Sequence, residues 1–131
     1  MKYLVPILVF GLVGCVMDDE SSQIQAKLNS YAENAAQGKN LELFLTGEAL
    51  QSAQQSAELM RSLGYRQLGV AKVTVARAQG GQGLGCMDLV QVRIVDPSGE
   101  IVPVERPDRV GLSFDYRADL LIERMELSGS C

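Results

Sequence analysis

Between residues 24 and 35 the apolar positions are Ile24, Leu28, Tyr31, Ala32 and Ala35, the three-and-four spacing that lines one face of a helix. Ser21 or Ser22 stands where an N-cap belongs and Gly38 where a helix stops, so the pattern predicts a first helix between them. Residues 41–45 are a short apolar run suited to one further turn. Thr46-Gly47-Glu48 then supplies a cap and an acid for the first turn of a second helix. Leu50, Ala53, Ala57 and Met60 mark its face and Leu63-Gly64 its end. The Gln, Ser and Ala content of that segment suits a helix lying across a sheet.

Beyond Gly64 the period falls from about 3.6 to 2 and β-branched residues become frequent. Residues 69–78 read as a strand, and residues 86–95 as a longer one with Val90, Val92 and Ile94 on one face. Asp96-Pro97-Ser98-Gly99 has the residues of a type I turn. Residues 101–104 form a short strand whose Pro103 assigns it to an edge or a bulge. Val110, Leu112, Phe114 and Tyr116 alternate, and residues 120–127 follow across a tight Ala118-Asp119 turn. Two helices followed by about five strands predict an α+β fold with both helices packed on an antiparallel sheet.

The N-terminus has a different pattern. Lys2 precedes ten almost purely apolar residues, 4–13, interrupted by Pro6 and Gly11. A bilayer span needs roughly 20 residues, so this length fits the hydrophobic region of an export signal. It ends on Leu12-Val13-Gly14-Cys15, which resembles the lipobox of bacterial lipoprotein precursors. The residue types suit the chemistry: a small Gly14 lets the extended chain enter the signal peptidase groove, and the Cys15 thiol accepts diacylglycerol. The resemblance implies three segments: a signal at 1–14, a lipidated Cys15 with a polar tether at 15–22, and one domain at 23–131. Acyl chains of the palmitate type, at about 0.8 kcal/mol per buried CH₂, would hold the domain on the extracytoplasmic side of a membrane. No Asp follows Cys15, which favours the outer membrane in a Gram-negative cell and leaves the outer face of the plasma membrane in a Gram-positive one. Asp18-Asp19-Glu20-Ser21-Ser22 is expected to be a solvated acidic tether.

Composition narrows the function classes. Histidine is absent, which excludes His-dependent nucleophiles and imidazole metal sites and removes the commonest general acid-base group. Any metal would have to be held by carboxylates and carbonyls, and no cofactor or metal is expected. The 12 Lys and Arg are scattered singly against 16 Asp and Glu, with no basic stripe for nucleic acid. Aromatics are 5 % with no Trp, too few for a platform that stacks bases or sugars.

The order helix, helix, antiparallel meander resembles the cone-shaped fold of the nuclear-transport-factor-two-like and cystatin-like groups, in which a curved sheet wraps a helix and leaves a pocket. The C-terminal half is similar to small exported proteins of high-GC Gram-positive bacteria. The shared motifs are Cys86-Met87-Asp88, Val95-Asp96-Pro97-Ser98-Gly99, Arg106-Pro107-Asp108-Arg109 and the terminal Cys131. They are structural and imply no particular activity.

Four features could carry chemistry. The glycine-rich run at 78–85 has neither a following Lys-Ser/Thr nor a GxGxxG spacing, so it reads as a mobile hairpin loop rather than a phosphate cradle. Arg106 and Arg109 could bind an anion, although such a segment is more often a rigid turn with solvated ion pairs. Counting by twos places Asp88 on the inward face with Val90, Val92 and Ile94, where a shielded carboxylate could be a general base; a strand end, wetted or paired with an Arg such as Arg66, is the alternative. With Cys15 lipidated, Cys86 and Cys131 are the remaining thiols of an exported domain and are expected to form a disulfide. The preferred reading is a non-enzymatic, membrane-tethered module that binds a small molecule, a peptide or an envelope protein. The rival is a small isomerase or hydrolase using Asp88 with Tyr31, Tyr65 or Tyr116. A pocket of apolar groups around one shielded carboxylate would favour the enzyme, and a pocket filled by side chains would favour the module.

Overall fold

In the computed structural model the backbone is described over residues 4–131 and the side chains over residues 20–131, so the lipobox side chains and Cys15 lie outside the described ones. The chain is α+β. Helix α1 (Leu4–Ala35) leads through a 3-10 turn (Leu41–Leu43) to α2 (Gly47–Leu63). Six strands follow: β1 (Arg66–Leu68), β2 (Lys72–Gln79), β3 (Gln82–Asp88), β4 (Arg93–Val95), β5 (Arg109–Tyr116) and β6 (Ile122–Ser128). They form an antiparallel sheet in the order β2-β3-β5-β6 and a separate antiparallel ribbon of β1 with β4. The main sheet therefore has four strands where the sequence suggested about five.

Alternation along β5 buries Val110, Leu112, Phe114 and Tyr116 on one face of the sheet. Ile24, Leu28 and Ala32 of α1 cover that face and form the core with Val73, Met87, Leu45 and Ile122. Every buried core residue found among the described side chains lies between Ile24 and Ile122, so residues 18–131 carry the whole of that core.

Helix α1 also completes the sheet at its edge. Strand β2 has a partner on one side only, and the helix supplies the other. The Asn29 side-chain amide donates to the Val73 carbonyl (2.9 Å) while its oxygen accepts from the Val73 N–H (2.8 Å). The Val75 N–H donates to Gln25 (2.8 Å), and the Ala78 N–H donates to Ser21 (3.2 Å). The periodicities explain the match. Four residues of helix advance about 6 Å, and two residues of strand advance about 6.6 Å. Side chains four apart on α1 thus meet alternate amides of β2, and the β2 bulge between Val75 and Arg77 absorbs the remaining offset. An exposed row of strand amides is a template for unwanted pairing, and these bonds remove it.

This corrects two expectations. Ser21 and Ser22 do not cap α1, because the helix runs on toward the N-terminus. Glu20 and Ser21 are not loose tether: Ser21 bonds strand β2, and the Tyr116 hydroxyl donates to Glu20. Sequence alone treats an acidic, serine-rich stretch as solvated, whereas here Ser21 and Glu20 satisfy a backbone amide and a phenol of the sheet. The stop at Gly38 is observed, with φ +66° and its N–H bonded to the Ala35 carbonyl at 3.0 Å. Helix α2 is bounded by Thr46 and a left-handed Gly64, as the sequence predicts.

The predicted strand over residues 86–95 is divided. The Asp88 carboxylate accepts from the Val90 N–H (3.0 Å), and the Val92 N–H donates to the Leu89 carbonyl (3.0 Å), which turns the chain out of the sheet. Residues 93–95 then pair with β1. The glycine-rich run forms the expected hairpin, with its turn confined to two residues and the rest of the run paired in β2 and β3. Gly80 and Gly81 make a two-residue turn with φ +62° and +83°, which suits a type I′ hairpin. Gly83 faces Phe114 across the strands, and a Cβ there would lie 2.1 Å from the Phe114 ring. The segment at 101–104 is reduced to a single bridge between Val95 and Ile101.

Cys86 and Cys131 are joined by a disulfide, with Cα atoms 6.0 Å apart. Cys86, Gly111 and Ser128 lie side by side across β3, β5 and β6, so the chain leaving β6 returns over β5 to reach Cys86.

Candidate functional site

The largest apolar concavity lies where α2 fails to close on the rest of the domain. Burial along the helix decreases from its start: Ala49 is buried, whereas Leu50, Ala53, Ala57 and Met60 are half-buried. The helix lines the concavity with small groups, the half-buried Ala53 and Ala57 and the exposed Ser52 and Ser56, and these cannot fill the space toward α1 and the sheet. The result is a groove of about 750 Å³. Small-molecule sites span roughly 300–1,000 Å³.

One wall is α2, and the opposite wall comes from Tyr31, Ala35 and Ala36 at the end of α1. Met125 and Leu127 of β6 form the floor, and Tyr65, Arg66, Gln67 and Ile94 of the ribbon close one end. Leu127 stands opposite the buried Leu112 yet keeps 49 % of its surface exposed, facing the groove. The ring of Tyr31 packs edge-on against Phe44 with centroids 6.5 Å apart. Burial pushes the Tyr31 phenol above its usual value of 10.0, so its hydroxyl stays protonated at neutral pH. That hydroxyl has no hydrogen-bond partner among the described residues. No Asp or Glu lines the groove.

The residues singled out from sequence are not assembled into one site. Tyr31 and Tyr65 line the groove, but Tyr116 lies elsewhere, bonded to Glu20. Asp88 is not on the inward face. Met87, Gly85 and Gly83 share the face of the buried β5 residues, so Asp88 is on the other side at the end of β3, engaged with the Val90 N–H. Counting by twos failed there because the strand ends at Asp88. Arg66, its suggested partner, is at the groove instead.

Arg106 and Arg109 do not form a paired anion site. Arg106 donates to the Val92 carbonyl (3.1 Å) and ties this segment to the ribbon, while Arg109 begins β5 opposite Asp88. Asp96 organises its turn by accepting from the Ser98 hydroxyl (2.6 Å) and N–H (2.9 Å) and from the Glu100 N–H (3.0 Å). The Ser98 hydroxyl first, and then the backbone bonds, hold the Asp96 carboxyl below its usual range.

Met125, Leu127, Arg61 and the serines of α2 were not legible as site residues. The available signal was the small, polar face of α2 beside a terminal strand that still carries Met and Leu. Among the described residues, no helix is long and apolar enough to cross a membrane. Compared with known proteins, the chain matches no family model and no curated sequence.

Proposed function

We propose that this chain is the precursor of an extracytoplasmic lipoprotein, anchored through Cys15, whose mature domain is a non-enzymatic binding module with the α2 groove as its site. The observation that carries the binding role is an open apolar groove lined by tyrosines, methionines and small residues with no carboxylate among them. With no histidine in the chain, carboxylates are the leading general acid-base candidates, and the one singled out from sequence, Asp88, is held at the end of β3 away from the groove. The lipoprotein reading is supported by the order of Lys2, the apolar run and Leu12-Val13-Gly14-Cys15. The Cys86–Cys131 bridge is in keeping with an oxidising compartment. The likeness to the cone-shaped groups belongs to the same proposal. Its support is a helix held against an antiparallel meander beside an open groove, and the four-stranded sheet is a departure from it.

Blocking the groove tests the binding role. Ser56 is exposed at the rim, so Ser56→Trp adds an indole there without disturbing the core. Residues 18–131 should bind the neutral dye Nile red with a rise in fluorescence, and Ser56→Trp with unchanged circular dichroism should abolish it. Equal dye binding by both proteins would place the dye outside the groove and refute the assignment.

A further inference from the structure

Arg61, in the last turn of α2, and Arg66, which opens β1, both reach the groove beside Tyr65. Neither guanidinium has a hydrogen bond or ion pair among the described residues. Four other arginines are engaged, Arg117 with Asp119 and Arg124 with Glu48, each at 3.1 Å, and Arg93 and Arg106 with backbone carbonyls, while Arg77 and Arg109 lie away from the groove. The chain carries more acids than bases, 16 against 12, yet none of the acids lines this groove. Two unpaired cations at one end of an apolar channel complement an anionic head on an apolar body.

On the reading that the groove is a binding site, we infer that its occupant is a single-chain acidic lipid of the fatty-acid class. The chain lies along Tyr31, Ala57, Met60 and Met125, and the carboxylate is held by Arg61 and Arg66. An apolar chain gains from burial in proportion to the area removed from water. The two guanidiniums give the head its selectivity, because a forked donor matches a carboxylate and a neutral or cationic head leaves both unpaired.

Calorimetric titration of residues 18–131 with decanoate, decan-1-ol and decyltrimethylammonium at low ionic strength separates chain from head. Decanoate should bind roughly tenfold more tightly than decan-1-ol, the scale of a charge-assisted hydrogen bond, with decyltrimethylammonium weakest. The double variant Arg61→Gln/Arg66→Gln, altered at two exposed positions, should lose this preference and keep its affinity for decan-1-ol. Equal binding of decanoate and decan-1-ol by the unaltered protein overturns the acidic-lipid assignment and leaves the groove standing as a binding site. Failure of all three to bind overturns both. Self-association in sedimentation velocity that Ser56→Trp abolishes would mean that a second copy covers the groove, and it too overturns the assignment.

Discussion

Replacing Asn29 tests whether α1 acts as a missing strand for β2. Asn29→Leu keeps a side chain of similar size but removes both bonds to Val73, at 2.9 and 2.8 Å. Each such bond contributes about 1 kcal/mol net. Val73 is only 3 % exposed, so water reaches its orphaned N–H and C=O poorly, and an unsatisfied buried group costs about 1–3 kcal/mol. The expected loss is therefore about 2–4 kcal/mol, a large share of the stability of a small domain. Urea unfolding of residues 18–131 measures it, with Ser30→Ala on the exposed face of the same helix expected to stay within about 0.5 kcal/mol. Hydrogen exchange at the Val73 amide gives a local readout, slow in the unaltered protein and much faster in Asn29→Leu. A loss below about 0.5 kcal/mol with Val73 still protected would refute the edge-completion argument.

Three further outcomes follow from particular groups. Cys15→Ser should abolish incorporation of a clickable fatty acid in cells and leave uncleaved precursor or released protein; label persisting in the variant would refute lipidation at this thiol. Opening the bridge with Cys131→Ser should cost up to about 4 kcal/mol in the chain-entropy account, for a separation of 45 residues, and alkylation with intact-mass analysis of the exported protein should find Cys86 and Cys131 blocked until reduced. Asp96 should titrate below 3.8 in carboxyl-detected NMR, and Ser98→Ala should raise it toward that value. Because the folded-state carboxyl is depressed, the turn's contribution is present above the unfolded value and fades as pH falls through the folded one.

The elements that were legible in the sequence are those in which one period runs unbroken between firm stops. The α1 stripe of Ile24, Leu28 and Ala32, the alternation of β5 and the limits of α2 at Thr46 and Gly64 are of this kind. Errors fell where side chains compete with backbone. Asp88 bonds the Val90 N–H and ends β3 inside a run that looks continuous to any count by twos. The reverse occurred at 82–85, where glycines suggested a loop but allow β3 to sit beneath the Phe114 ring. Ser21, Gln25 and Asn29, spaced by four beside the apolar stripe, are visible in retrospect as a second, polar seam. The groove was the least legible feature, since it arises from what the small residues of α2 do not fill, and its edges come from segments far apart in the chain.

The central claim, that the α2 groove is the binding site, is tested most directly by the methionine methyl groups. Met60 and Met125 line the groove, whereas Met87 is buried in the core and is not among the groove residues. In residues 18–131 labelled with ¹³C-methyl methionine, titration with decanoate should shift the Met60 and Met125 methyl signals together, saturably, and leave Met87 in place. Saturable binding that leaves Met60 and Met125 unmoved, or no binding at all, would contradict the account.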